Sequence, residues 1–525
     1  MDIKQVANQI GLDEKDLICY GNQIAKVDLE NTGNKNGKLI LVTAMTSNKT
    51  GIGKTTISIG LADALKSLGN STILTLRQPS MGPVFGIKGG ATGGGKSRVE
   101  PSDEINLHFT GDFHAITQAN NLLASIIDNH IFQGNQLDID ENRILFKRCL
   151  DLNERSLRNY SYKIGDKTVN SGFVITAASE VMAIMSLSKS LSNLKENLGN
   201  IMVALNKNGQ PIYARDLHAR DAMTILLKDA FKPNLVATKE GTPTLVHLGP
   251  FANIAHGCNS LIATQFALTH ADYCVTEAGF GSDLGGEKFL DIKSRLLEKS
   301  PDACVLVVVC KVVKEHGNGN LTKGFENVKR HIDNLKNLFK LNLVVAINKH
   351  DDDCEEDILL LKQLCEEQNV EVSISNGFAL GSKGCTDLAK KVLSLCQQPS
   401  IIEYAYALEE SIKDKIEKIA INIYGASSVK YTPQAEQKIK LAQDFGCEKF
   451  FVNIAKTQFS FSDDKNLLGM PTDFSLTITD IEIRSGAKMI VAIAGNMLLM
   501  PGLGKTSNYE SMQIDTATNK ITGLF

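Results

Sequence analysis

An apolar run that delivers a glycine-rich turn and then an amphipathic helix leaves a chain few folds to choose from. Residues 38–56, KLILVTAMTSNKTGIGKTT, have that order. The pattern predicts a strand, a phosphate-binding loop and the first turn of a helix. Backbone N–H groups of Gly51, Ile52, Gly53 and Lys54 would ring a polyphosphate, and the helix N-terminus would add partial positive charge. Lys54 would reach the terminal phosphates, and Thr55 would offer its hydroxyl to Mg²⁺. Downstream, Ile57, Leu61, Ala64, Leu65 and Leu68 recur at helical spacing, Gly69 and Asn70 stop the helix, and Ser71 to Leu76 reads as a second strand. The loop is a variant of the common G-x-x-x-x-G-K-[ST] pattern. Asn48 stands where the first glycine would be, and Lys49 adds a cation before Thr50 and Gly51.

With 525 residues, 43% of them hydrophobic, the chain can bury a large core and divide into two or three domains. Its 56 basic residues balance 59 acidic ones, which gives no electrostatic reason to expect nucleic acid or an anionic membrane as partner. The eleven cysteines are widely spaced and include no C-x-x-C pair, so they read as reduced core thiols rather than as disulfides or zinc ligands. The charged N-terminus does not resemble a secretory leader. No apolar run reaches the roughly 18 residues a membrane span needs, so the expected compartment is the cytoplasm.

Strand-like runs (LILVTAM, STILTL, GFVITAA, NIMVAL, TLVHL, ADYCVTEA, ACVLVVVC, LNLVVAIN) alternate with helical segments such as Ala115 to His130 and Ser179 to Leu194. That alternation predicts an α/β fold, a P-loop NTPase-like and mainly parallel sheet with helices on both faces. The continuously apolar Val305 to Val309 fits a strand buried on both faces. Changes of character near 330 and 425 suggest a nucleotide-binding domain over 1–330, a second α/β domain over 331–425 and a small C-terminal α/β domain over 426–525. Phe474 to Ile483 and Met489 to Ala494 read as strands of the last.

Three further constellations carry chemistry. The segment 77–95, RQPSMGPVFGIKGGATGGG, reads as loop throughout. It starts at the carboxyl end of the strand expected beside the phosphate loop, where open α/β sheets bind ligands, and Arg77 there could hold a phosphate or carboxylate with both arms of its fork. Residues 106–114, NLHFTGDFH, place His108, Asp112 and His114 just before a helix, as ligands, acid–base groups or structural residues. Residues 251–260 and 276–283 pack polar groups beside strand ends as a site wall, although Glu277 or Asp283 taken singly is more often a helix cap than a catalyst.

These residues match a known pattern over the whole chain. GKTT at 53–56, PSMGPVFGIKGGATGGG at 79–95, INLHFTGDFHAI at 105–116, ASEVMAI at 178–184, GPFANIAHGCNS at 249–260, TEAGFGSDLGGEKFLDIK at 276–293, VVAIN at 344–348, AKTQFSFSDD at 455–464 and MPGL at 500–503 occur in one order. The sequence resembles the formate:tetrahydrofolate ligases, also called 10-formyltetrahydrofolate synthetases. The resemblance implies an enzyme that uses ATP with Mg²⁺ to turn formate into formyl phosphate and passes the formyl group to tetrahydrofolate, releasing ADP and phosphate. It also implies a homotetramer and a possible monovalent cation, K⁺ or NH₄⁺. By similarity the nucleotide contacts fall on Asn48, Lys49, Thr50, Gly51, Ile52, Gly53, Lys54 and Thr55, and the formyl phosphate contacts on Arg77 and Gln78. The folate ring falls between His350 and Phe378.

Several positions depart from the family. Gln78 stands in place of a glutamate, His350 in place of phenylalanine and Phe378 in place of tryptophan. Lys96 and Arg98 replace tyrosine and glutamine, Lys49 replaces a proline, and the chain has no tryptophan. Extra cations near the phosphates could tighten nucleotide binding while slowing turnover. Two other readings stay open on the sequence: a nucleotide switch whose extra lysine, Lys49, acts across a dimer, and a nucleotide- or folate-binding paralogue with reduced ligase activity.

Overall fold

The computed structural model describes residues 1–30, 33–48, 51–87 and 90–524. Among them, the main sheet contains twelve strands. In chain order these are β1 (Leu17–Tyr20), β2 (Ile24–Val27), β3 (Lys38–Ala44), β4 (Thr72–Leu76), β5 (Gly93–Gly94), β6 (Ser97–Glu100), β7 (Asn234–Thr238), β8 (Pro243–Val246), β9 (Tyr273–Glu277), β10 (Ala303–Val308), β11 (Leu343–Asn348) and β12 (Glu371–Ser375). They lie side by side as β1-β2-β7-β8-β4-β9-β3-β10-β11-β12, with β5 and β6 branching from β7. From β8 to β12 every neighbouring pair is parallel, so the carboxyl ends of seven strands emerge on one edge. The expected α/β class and mainly parallel sheet are therefore present.

The central parallel strands form because their sequences are nearly all β-branched or aliphatic, and both faces are covered. β3, β10 and β11 are buried almost from end to end, as continuous apolar runs require. Helix α1 (Lys54–Ser67) follows β3 and buries Ile57, Leu61, Ala64 and Leu65 against the sheet. Helix α2 (Asp112–Phe132) covers the predicted Ala115 to His130 and extends beyond it.

Several local expectations change. The predicted Ser179–Leu194 helix is two helices, Glu180–Leu187 and Leu191–Gly199, because the Ser190 hydroxyl accepts from the Asn193 N–H and caps a new start at Leu191. The loop over 77–95 contains a short helix, Met81–Phe85, with Pro83 in its first turn, where the missing N–H costs nothing. Two expected strands leave the main sheet. Phe173–Ile175 pairs with Arg148–Leu150, and Met202–Asn206 joins a three-stranded sheet with 139–144 and 211–213. Periodicity identifies a strand but not its partner. Position 330 lies inside the helix Leu321–Ile332, and β11 and β12, beyond it in the chain, continue the main sheet by parallel pairing.

A separate four-stranded sheet is formed by β13 (Ser428–Tyr431), β14 (Phe451–Ala455), β15 (Ser475–Arg484) and β16 (Met489–Ala494), in the order β13-β15-β16-β14. One bond that ties it to the rest is ionic. Lys456, just after β14, pairs with Asp283 at 2.8 Å, and both side chains are buried. The Lys456 ammonium also donates to the carbonyls of Ser460 and Thr457. Burial pushes it below the ordinary lysine value, and Asp283 opposes that shift. Replacing one partner would strand the other's charge, so Lys456→Met should cost about 3–5 kcal/mol in urea unfolding. Adding Asp283→Leu should recover much of the loss; a single variant as stable as the parent would show that the pair holds nothing.

Among the described residues all eleven cysteines are free, nine of them buried. Burial raises the Cys149 thiol to about 12, which keeps it protonated and inert. No helix of the described residues is long and apolar enough to cross a membrane.

Candidate active site

The carboxyl edge of the parallel strands collects the residues that matter. The phosphate loop follows β3, Arg77 and Gln78 follow β4, Glu277 ends β9, and His350 and Phe378 follow β11 and β12. Loops at this edge of an open α/β sheet converge on ligands.

At the phosphate loop, Gly53 caps α1 with φ +70°, and a Cβ there would lie 2.3 Å from the Asn348 amide nitrogen. Only glycine fits. Asn348, at the end of β11, donates to the Ile52 carbonyl at 3.1 Å and so fixes the turn from the neighbouring strand. The N–H groups of the first helical turn have no intrahelical acceptor and carry the positive end of the helix dipole. Lys54 is half-buried. Burial pushes its ammonium below the usual lysine value, Glu277 pulls it back up and Arg77 presses it further down. A group under those influences gains from an arriving phosphate. Asn48 donates to Glu315 at 2.8 Å, while Lys49 and Thr50 lie outside the described residues.

Sequence order suggested that β4 lies directly beside β3. In the structure β9 separates them, pairing in parallel with both. The chain crosses over one strand position after α1, and the gap is filled 200 residues later. This insertion places Glu277 against the loop, where its carboxylate accepts from the Thr55 hydroxyl at 2.9 Å. Glu277 thus caps no helix among the described residues and stands at the glycine-rich turn. Two hard oxygens side by side suit Mg²⁺ held jointly with phosphate oxygens and water. Nothing local in the sequence links the two, which stand 222 positions apart.

Arg77 and Gln78 are wrapped by the loop 249–257. One terminal nitrogen of Arg77 donates to the Pro250 carbonyl at 3.0 Å. A side chain at Gly279 would press within 2.8 Å of both terminal nitrogens, so the guanidinium lies flat against the backbone after β9. Among the described residues several buried polar atoms here have no protein partner: Arg77 Nε, Gln78 Oε1, Asn253 Oδ1 and both ring nitrogens of His256. Buried polar atoms are nearly always paired, and an orphaned cluster around an arginine is what a small polar ligand would complete. Burial, with the charges of Lys293, Lys288 and Arg77, drives His256 down to about 3, so the ring is neutral and one nitrogen can accept while the other donates. The spacing in FANIAHG gave no hint of this, because the ring matters only once the loop closes over Arg77.

Buried lysines hold that loop. Lys288 donates to the Ala252 carbonyl at 2.5 Å, and Lys293 donates to the Asn259 carbonyl and side-chain oxygen, each at 2.9 Å. Burial lowers both ammoniums to about 8. The constellation at 106–114 proves structural in its described contacts. Asp112 pairs with buried Lys26 at 2.8 Å and accepts from Asn234, while Asn106 holds Ala91 and Thr92. His108 and His114 are exposed.

His350 and Phe378 both stand exposed beyond adjacent strands. The His350 N–H donates to Asp353 at 2.8 Å, and the chains meet where the Lys349 N–H donates to the Ser375 carbonyl. Phe378 is 57% exposed, and Ile374 and Leu380 beside it in the chain are exposed as well, which leaves an apolar patch beyond β12.

Comparison with known proteins fits this arrangement. A family model described as formate–tetrahydrofolate ligase matches residues 1–525. A formate–tetrahydrofolate ligase of Campylobacter concisus (strain 13826) is 51% identical over 539 aligned positions, covering 99% of this chain and 97% of the relative. One of Campylobacter curvus (strain 525.92) is 50% identical over 537, with the same coverage. With the glycine-rich turn after β3, the buried Arg77 cluster and the exposed Phe378 on one sheet edge, and a match that runs from end to end, this chain belongs to the formate–tetrahydrofolate ligase family.

Proposed function

We propose that the protein joins formate to tetrahydrofolate at the expense of ATP, through formyl phosphate. The observation that carries the reading is the orphaned polar cluster around Arg77, set on the same sheet edge as the phosphate loop. Formate is a poor acyl donor, since its leaving group would be oxide or hydroxide. A formate oxygen therefore attacks the γ-phosphorus of ATP, forming a C–O–P bridge as the bond to ADP breaks. Lys54 and the N–H groups of Gly51, Ile52 and Gly53 neutralise charge on the transferred phosphoryl group. Thr55 and Glu277 would hold Mg²⁺, which when bound screens the phosphate oxygens.

Arg77 then holds the phosphate of the mixed anhydride. N10 of tetrahydrofolate attacks the formyl carbon, the C–O bond breaks, phosphate leaves and N10 loses its proton. Enclosure by the loop 249–257 protects the anhydride from water. The pterin would lie on His350 and Phe378. On this reading 1–330 supplies nucleotide and formyl phosphate contacts, 331–425 the folate platform and 426–525 a buttress. Purified protein should form 10-formyltetrahydrofolate only when formate, ATP and tetrahydrofolate are all present; ATP hydrolysis indifferent to the other two would refute it.

The buried amide oxygen of Gln78 would serve a monovalent cation, K⁺ or NH₄⁺, as a neutral ligand. Gln78→Glu would add a carboxylate beside Arg77, and we expect formyl transfer to become more strongly dependent on potassium. Equal rates for both forms at every potassium and ammonium concentration would remove this position from catalysis. The family resemblance also supports a cytoplasmic homotetramer, which a mass measurement in solution checks. A nucleotide-switch reading would turn on Lys49, outside the described residues.

A further inference from the structure

We propose that Glu240 is a positioning residue for tetrahydrofolate, acting through the loop that carries Phe378; this rests on reading Phe378 as part of the folate platform. The ring is 57% exposed and is packed on one side only, where a Cβ at Gly94 would lie 3.0 Å from it, so its place is set by the β5–β6 hairpin and by its own backbone. The loop runs through the short helix Gly377–Leu380 and the tight turn Gly381–Cys385. Its first part is tied to the β5–β6 hairpin. The Lys96 N–H donates to the Phe378 carbonyl at 2.9 Å, and the Ser97 hydroxyl donates to the Gly377 carbonyl at 2.8 Å.

The second part is held from elsewhere. The Ser382 N–H donates to Glu240 Oε1 at 2.9 Å, across 142 positions of sequence. Gly381 adopts φ +62° and ψ −139°, a conformation left almost wholly to glycine. A Cβ there would sit 2.2 Å from the same Glu240 oxygen, so the carboxylate is seated against the glycine backbone. Glu240 itself stands at the tip of the turn between β7 and β8, and that turn is locked to α1. The hydroxyls of Thr238 and Thr242 both donate to Asp63 Oδ1 at 2.5 Å, and Lys66 donates to the Gly241 carbonyl at 2.6 Å.

The helix whose N-terminus opens the phosphate loop therefore also sets, through Asp63, Lys66 and Glu240, where the Phe378 loop lies. The carboxylate-to-N–H bond is of the strong, charge-assisted kind, and the strained glycine beside it keeps that acceptor in one place. Without it the second part keeps the bond from the Asn376 N–H to the Gly384 carbonyl and the buried Cys385 against Gly60 of α1, but the strained turn at Gly381 and Ser382 loses its charged acceptor and Phe378 its fixed distance from the phosphates.

The chain contains no tryptophan, so Phe378→Trp in the full-length protein creates a single fluorescent reporter at the platform. Quenching by tetrahydrofolate then gives a dissociation constant independent of turnover. In that background Glu240→Ala should weaken tetrahydrofolate binding about fivefold or more, while KM for ATP and for formate stays within about twofold. Glu240→Gln, which keeps an acceptor oxygen, should return the dissociation constant to within about twofold of the parent. A tetrahydrofolate affinity unmoved by Glu240→Ala, when Phe378→Ala in the native background lowers it, overturns the positioning role alone. An affinity unmoved by Phe378→Ala overturns the folate platform and the role of Glu240 together. Equal losses toward ATP and tetrahydrofolate in Glu240→Ala would mark general damage and also overturn it.

Discussion

Lys54→Ala should lower ATP-dependent formyl transfer by at least about a thousandfold, equivalent to roughly 4 kcal/mol of transition-state stabilisation. The lysine is half-buried at the start of α1, its ammonium under pressure from burial and from Arg77. No other described cation stands at the first turn of that helix. The transferred phosphoryl group carries its charge on equatorial oxygens, and a loop of N–H dipoles alone stabilises that charge less than an ammonium does. Because Lys54 is not part of the apolar core, circular dichroism and the thermal midpoint should stay near those of the parent. A folded variant with near-normal turnover would sink the assignment of the phosphate loop.

Arg77→Lys should separate the two half-reactions. We expect formyl transfer to fall about a hundredfold, while the dissociation constant for ATP changes less than about threefold. The geometry is the reason. One terminal nitrogen is already committed to the Pro250 carbonyl, and Nε is buried without a protein partner, so the fork has both an anchored and a waiting arm. A lysine offers one compact charge and cannot do both. Rapid quench of the first turnover, with ATP binding measured separately, would check it. Loss of ATP affinity with catalysis spared would move Arg77 into the nucleotide site.

The strand, glycine-rich turn and helix at 38–68 were legible because each is specified locally: β-branched residues, then glycines, then apolar residues at helical spacing. The family motifs were legible for the same reason, being continuous in the chain. What the sequence could not convey is adjacency. Glu277 meets Thr55 only because β9 inserts between β4 and β3, and no local pattern reports the order of parallel strands. His256 looked like one more polar residue until loop closure left both its nitrogens buried and unpaired. Ser190 broke a helix that periodicity read as continuous, because a side-chain cap outweighs a matching apolar stripe. Glu240 is illegible in the sequence because its role lies in a backbone N–H 142 positions away.

The departures at Gln78, His350 and Phe378 fall in two different environments, one buried and one exposed. Gln78 is buried beside Arg77, where a neutral side chain leaves the guanidinium charge more fully available to an anion. His350 and Phe378 are exposed, where an aromatic face of either kind can stack on a planar ring. The structure gives no separate account of why arginine stands at 98, beyond its pairing with Glu100 at 2.6 Å.

On the proposed reading, formate is activated as formyl phosphate on the sheet edge that bears Lys54 and Arg77. Oxygen-18 labelling of both formate oxygens tests it most directly, with the phosphate released during formyl transfer analysed by mass. If a formate oxygen attacks phosphorus and the C–O bond later breaks, each phosphate leaves with one labelled oxygen, and tetrahydrofolate receives a formyl group that retains the other. Phosphate free of label, with the formyl product still formed, would rule out formyl phosphate as the intermediate.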